Sequence, residues 1–293
     1  MLNFRGTTVL VTGSSMGIGK GLTRCFARDG ANLVLTDHPS READLKAWAD
    51  ELGRRYAVRT WVFAVDLTDP DGAERLHRDV VAAAGDVYGL VNNAGICWWG
   101  RFDEMPPVER LEKMVLLNCM AYAKLCRLVL PSMIGRKGGA ILNVSSIAAF
   151  QPVANMALYG ASKAFVQSLT ESIRYELPRG SGVTVSTLNP AFTKTALLSD
   201  ACIPADFIPL SISFSSADDI ARQGYRAFRK GKMFHVTGWQ NKILHQFTPR
   251  LLPRRAVNRI SWLACHRWSD FFARGKSAVA ENVETVGKFS KHE

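Results

Sequence analysis

The stretch Thr12-Gly13-Ser14-Ser15-Met16-Gly17-Ile18-Gly19 decides the fold. It follows an apolar run, Thr7–Val11, and opens a segment of helical period. Glycines belong at such a strand-to-helix turn for two reasons. The turn demands backbone angles that other residues resist, and a pyrophosphate must come close to the helix N-terminus to meet its free N–H groups and dipole. Gly13, Ser15, Gly17, Ile18 and Gly19 are therefore candidates to surround a dinucleotide. The second apolar run, Asn32–Thr36, leads into Asp37, roughly 20 residues past the glycines. A carboxylate there accepts hydrogen bonds from both ribose hydroxyls of NAD and repels the 2′-phosphate of NADP. NAD is thus the preferred cofactor, and Arg41, a turn away, keeps NADP as the alternative. Asp37 would equally serve as a cap for the next helix.

Outward from this turn the same pattern repeats. Further apolar runs are Thr60–Val65, Gly89–Asn92, Ala140–Val144, Val183–Leu188 and Met233–Thr237. They are continuous instead of alternating, as expected of strands covered on both faces by helices. Seven strands alternating with six helices predict an α/β fold: a doubly wound, Rossmann-type parallel sheet over residues 1–240. Asp69-Pro70 reads as a helix cap followed by proline at the first helical position, and Ser216–Asp219 as a capping box. Asp66, ending the third strand, faces two readings, a contact to the adenine amino group or a turn residue. Asn93, in Asn92-Asn93-Ala94-Gly95, lies beside the cofactor where the strand order reverses.

The fifth strand runs into Ser145-Ser146, and Tyr159 follows thirteen residues after Ser146. Tyr159 and Lys163 are four apart in a helical segment and share one face. A free phenol has a pKa of about 10, and proton transfer near neutral pH calls for a lower value. A lysine ammonium one turn away and an oxidised nicotinamide both favour the phenolate. In isolation a Tyr and Lys at this spacing form an ordinary surface pair; the glycine turn and Ser146 upstream set this pair apart.

Together these motifs resemble the short-chain dehydrogenase/reductase family over residues 6–240: T-G-x-x-x-G-I-G at Thr12–Gly19, N-N-A-G at Asn92–Gly95, Ser146, and Y-x-x-x-K at Tyr159–Lys163. The resemblance implies that Tyr159 is the general acid/base, that Ser146 orients the substrate, and that Lys163 binds the nicotinamide ribose and lowers the tyrosine pKa. It implies a fourth member at Asn118, whose backbone carbonyl would hold a proton-relay water. It places the segment Asn189–Thr195, with Pro190, against the nicotinamide carboxamide, with Thr195 or alternatively Thr193 bonding the cofactor and Ala191 where the family commonly has Gly. The implied substrate pocket brings in Trp98, Trp99, Phe150, Met156 and Phe192, along with the apolar loop Ala196–Ser215. That composition suits a bulky apolar alcohol or ketone, although the same residues would serve as core under a loop. The family further implies a homo-oligomer. A non-catalytic, dinucleotide-sensing regulator is the rival function, and it usually loses the tyrosine or lysine that this chain keeps.

The chain has 293 residues, 47% hydrophobic and 22% charged, which excludes disorder and collagen-like structure. Its six cysteines form no C-x-x-C pair and no zinc spacing, so they read as reduced thiols of a cytoplasmic protein without a metal site. The N-terminus runs straight into a strand and does not read as a secretory signal. No run of about 18 uncharged apolar residues suggests a membrane span. The formal net charge is +11, but eight basic residues lie between Lys242 and Lys276, opposed by Asp270 alone. The charge therefore belongs to a basic, aromatic-rich extension over 241–293 and not to a nucleic-acid groove. Three roles fit that extension: peripheral contact with a membrane, packing on another subunit, or a helical lid. Its composition, with Leu251-Leu252-Pro253-Arg254, loosely resembles the long-chain oxoacyl and steroid-type reductase branch of the family.

Overall fold

The continuous apolar runs form one parallel sheet: β1 (Thr8–Thr12), β2 (Asn32–Asp37), β3 (Thr60–Ala64), β4 (Gly89–Asn92), β5 (Gly139–Val144), β6 (Val183–Asn189) and β7 (Phe234–Val236). The order is β3-β2-β1-β4-β5-β6-β7. The computed structural model describes residues 1–104, 108–191, 215–238, 241, 251–259 and 261–262. Helices α1 (Gly17–Arg28), α2 (Glu42–Tyr56), α3 (Gly72–Ala84), α4 (Val108–Val115), α5 (Ala121–Gly135), α6 (Ala157–Glu176) and α7 (Ala217–Arg229) flank it. A π-turn, Leu116–Met120, joins α4 and α5 into one continuous rod.

Each strand feeds two cores because successive side chains point to opposite faces. Val9, Val11, Leu33, Leu35 and Leu142 pack with α1, α2 and α7. Leu10, Val34 and Ile141 pack with α3 and α5 on the other face. This two-sided burial is why the strands read as unbroken apolar runs. The rod Val108–Gly135 is long and apolar enough to cross a membrane by length and composition. Its Leu125, Cys126, Val129 and Met133 are instead buried against the sheet.

Two helix starts were legible beforehand, and they differ in outcome. Ser216 caps α7 as expected, its hydroxyl accepting from Asp219 N–H at 3.1 Å. Asp69-Pro70 does not begin α3, which starts at Gly72. Asp66 closes a turn by accepting from Thr68, Gly72 N–H bonds Asp69 C=O, and the Asp69 carboxylate pairs with Arg75 at 2.8 Å. The proline thus sits in a turn that precedes the helix.

The first core closes on a knot of aromatic rings. Phe26 of α1 meets Phe4 and Tyr225 edge-on, with centroids 4.9 and 4.8 Å apart, and Phe228 stacks on Phe4. The Tyr225 hydroxyl and the Arg229 guanidinium both reach Asp29, at 2.7 and 2.6 Å. Phe26 is fully buried. Phe26→Ala should therefore lower unfolding free energy by about 3–5 kcal/mol, read from urea denaturation; a loss below about 1 kcal/mol contradicts this packing.

Candidate active site

The glycine turn leaves β1 with Gly13 at φ +63° and enters α1 with Gly17 at φ +55°. Gly19 admits no side chain, since a Cβ there would stand 2.1 Å from the Gly13 carbonyl oxygen. Ile18 packs against the first core. Met16 occupies the N-cap without a side-chain hydrogen bond, which leaves the first-turn amides of α1 available to an anion. Asn93 fastens the turn: its side-chain amide donates to the Thr12 and Gly13 carbonyls at 3.0 and 2.9 Å. The Thr12 hydroxyl in return accepts from the N–H groups of Asn93 and Ala94.

Asp37 grips the same turn from the other side. One of its oxygens accepts from Ser15 N–H at 3.0 Å and from the Ser15 hydroxyl at 2.6 Å, and the other from His38 N–H. It does not cap a helix; the following 3₁₀ turn is capped by the His38 side chain. Arg41, the residue before α2, faces Asp44 in the first turn of that helix, 3.6 Å away. Asp66 takes the turn position. One oxygen closes the Thr68 turn, and the other lies 3.5 Å from His38 Nε2. Burial pushes the Asp66 pKa up, but the two Thr68 hydrogen bonds and the His38 and Lys113 charges outweigh it and leave it lowered.

The other half of the site forms where β4, β5, α5 and α6 converge. Asn118 is buried in the π-turn. Its side chain accepts from Ile96 N–H at 3.0 Å and donates to Ile96 C=O and to the Ser162 hydroxyl. Ser162 donates to the Tyr159 carbonyl at 2.7 Å, and Ser145 to the Lys163 carbonyl at 2.7 Å. Lys163 Nζ donates to Val144 C=O at 3.0 Å, 5.3 Å from the Tyr122 ring centroid and 5.7 Å from that of Tyr159. Ser146 accepts from Ala148 N–H and lies at the phenol of Tyr159. The sequence does not mark Tyr122 or Ser145 as site residues. Tyr122 had a signal, being four residues after Asn118 on one helical face.

Burial governs the titration of this pair. It pushes the Tyr159 phenol well above its ordinary value; the neighbouring Cys97 thiol adds to the rise, and the Ser146 hydrogen bond only partly opposes it. Lys163 is pulled down to about 8 by the same desolvation, against upward pulls from Cys119 and Cys97. The spacing-based expectation of a phenol lowered by Lys163 does not hold for the protein's own groups. The desolvation cost of an anion in this apolar setting outweighs the Ser146 hydrogen bond.

Tyr159 packs with Trp98, Trp99 and Met156, and with Cys97 and Met114, in one apolar cluster. Phe150 belongs to a neighbouring cluster with Ile147, Ala191 and Val236. Pro190 accepts from Ile147 N–H at 3.1 Å. Phe192, Thr193, Thr195 and the loop up to Phe214 lie outside the described residues. Among the described residues no group of three His, Cys, Asp or Glu is arranged to hold a metal.

A model of the short chain dehydrogenase family matches residues 7–202. The chain belongs to that family. It is 38% identical over 194 residues to a short chain dehydrogenase of Pseudocercospora fijiensis, covering 66% of this chain and 62% of that one. It is 33% identical over 196 residues to the very-long-chain 3-oxoacyl-CoA reductase of Bos taurus, covering 66% and 61%. The matches thus span about three fifths of these relatives' lengths. Among solved structures, a short-chain dehydrogenase from Sphingobium yanoikuyae in complex with NADPH aligns with a TM-score of 0.73 and 30% identity, over 80% of this chain and 88% of that one.

The depressed lysine has a measurable signature. With a folded pKa of about 8 against 10.5 for the free group, Lys163 binds fewer protons folded than unfolded between those values. Its burial penalty is therefore complete below about pH 8 and fades as pH rises toward 10.5. Lys163→Met leaves Val144 C=O its bond from the Tyr122 hydroxyl. The variant should unfold at higher urea than the parent at pH 7, with the gap closing through that window; a constant gap or the reverse order contradicts the burial of a charge.

Proposed function

We propose that the protein is an NAD(P)-dependent oxidoreductase that interconverts a secondary alcohol and a ketone on a bulky apolar substrate. The reading is carried by a buried phenol and a buried amine held at the carboxyl ends of the strands, one against an apolar cluster and the other against the β5 terminus.

The residues fit a nicotinamide dinucleotide. The uncapped amides of α1 suit a pyrophosphate, and the pinned Asp37 carboxylate suits an adenosine ribose diol. Gly95 keeps open the space beside Asn118 and Lys163: a Cβ there would lie 3.1 Å from Asn118 Oδ1 and 3.5 Å from Lys163 Nζ. This leaves room on the Gly95 side of the Lys163 amine for a second ribose. Asp66 retains the oxygen beside His38 for a donor such as the adenine amino group. When bound, the dinucleotide accepts or supplies the hydride and, oxidised, adds a positive charge.

The chain's own residues handle the proton and the orientation. Tyr159 Oη takes the proton from the alcohol oxygen in oxidation and returns it in reduction. The Ser146 hydroxyl holds that oxygen in line with the phenol. Lys163 stabilises negative charge on Oη and is itself held by Val144 C=O. The cluster around Tyr159 excludes water and receives the apolar body of the substrate. NAD is the preferred form, because Asp37 presents a fixed negative charge where a 2′-phosphate would sit, and Arg41 is engaged with Asp44. Support for NADP comes from the Sphingobium relative, which is complexed with NADPH. The exposed Phe165 and Tyr175 on α6 support assembly into a homo-oligomer through that helix.

Purified protein with NAD and a panel of apolar secondary alcohols should generate NADH absorbance, and Tyr159→Phe should lower the rate by about 10²–10⁴-fold. Full activity in that variant, or tight dinucleotide binding without any turnover, overturns the proposal and favours the regulator. Asp37→Asn keeps an acceptor for Ser15 while removing the charge. It should raise the NADP-to-NAD ratio of kcat/KM by at least about tenfold, and an unchanged ratio contradicts Asp37 as the discriminating charge.

A further inference from the structure

Residues 251–259 and 261–262 carry a surface that the chemistry of the site does not use. Residues 254–259 and 261–262 are helical and fixed by their inner face. Val257 is buried, and the Ser261 hydroxyl donates to Pro152 C=O at 2.6 Å. Pro152 is adjacent to Val153, which packs in the Tyr159 cluster, so this helix sits at the rim of the candidate substrate pocket.

Its outer face has a definite composition. At about 100° per residue, Arg254, Asn258, Arg255 and Arg259 share an outward arc of about 140° with Val257 outside it, and Trp262 lies three residues further on. All five are exposed, Trp262 at 47%. Leu251, which leads into the helix, is 80% exposed, and Leu252 38%. The three arginines form no ion pair among the described residues, and no acidic residue occurs from Lys242 to Ser269.

We propose that this face docks the protein on an anionic lipid bilayer, with Leu251, Leu252 and Trp262 in the interface and Arg254, Arg255 and Arg259 on lipid phosphates, bringing the mouth of the apolar pocket to the membrane. Charge complementarity selects this occupant. A second copy meeting the face about a twofold axis would set its unpaired arginines against one another. A nucleic acid would pair with the arginines but leave the leucines and tryptophan facing a polar phosphate backbone. A bilayer interface satisfies both halves, since aromatic rings sit at headgroup level and each basic side chain gains electrostatic attraction there.

The test is cosedimentation of the full chain with vesicles of phosphatidylcholine, alone or mixed with phosphatidylglycerol, at low and high salt. Binding to the anionic vesicles, weakened by salt and absent on neutral ones, is the expected result. The triple variant Arg254→Gln, Arg255→Gln, Arg259→Gln should lower the partition coefficient on the order of 100-fold. Leu251→Ser should weaken binding while retaining its salt dependence. The thermal midpoint of both variants, matched to the parent, establishes that they are folded. Equal binding to neutral vesicles, no binding, or an unchanged triple variant overturns the proposal. So does a parent that prefers a DNA duplex to vesicles, or a triple variant that only shifts a dimer to monomer. Vesicle binding is read without turnover, so its failure is distinct from failure of the oxidoreductase reading.

Discussion

Lys163 reaches between the rings of Tyr122 and Tyr159 to donate to the last carbonyl of β5, and much of the site follows from that bond. An amine with its charge removed from water costs several kcal/mol unless its protons find acceptors. Val144 C=O supplies one acceptor, and two ring faces supply weaker attraction. The remaining cost appears as the fall of the amine's pKa to about 8. The same desolvation acts on the phenol with the opposite sign, raising Tyr159. Burial thus shifts both groups toward their neutral forms, leaving the phenol protonated and the amine, with a pKa of about 8, still charged at pH 7. A positive charge brought beside the pair would shift the phenol toward ionisation.

Such storage requires rigid surroundings, and a polar ladder below the pair provides them. Asn92 of β4 donates to Asn143 of β5 at 2.9 Å, and Asn143 donates to Thr170 of α6 at 2.9 Å. Asn92 and Asn143 are register partners in the sheet. All three residues are buried, so the ladder fixes α6 against the strand ends by directional bonds that generic apolar packing would not give. Above it, Asn118 ties the segment after β4 to Ser162, and Ser145 ties β5 to the Lys163 backbone. Two polar tiers therefore set the position of one helical turn.

The sheet was readable from sequence because both of its faces are covered: unbroken runs such as Asn-Leu-Val-Leu-Thr at β2 leave little ambiguity, and all seven strands fall within a residue or two of expectation. The glycine turn and the residues around Tyr159 were readable because their spacing is short-range. What escaped depends on distance across the fold. Tyr122 meets Lys163 only once α5 and α6 pack. Asp37 was read as a ribose ligand or a cap, while its bond to Ser15, 22 positions away, is a tertiary contact. The direction of the Tyr159 shift escaped for the same reason, because a spacing of four residues reports a neighbour and says nothing about desolvation.

Ionisation of one phenol, followed by ultraviolet difference spectroscopy of the parent against Tyr159→Phe, tests the desolvation of Tyr159 most directly. In the protein alone Tyr159 should show no phenolate signal up to about pH 10, the ordinary tyrosine value, and saturating NAD⁺ should bring its titration down toward neutral pH. A phenol that already titrates below 10 without the dinucleotide, or one that NAD⁺ leaves unmoved, contradicts it.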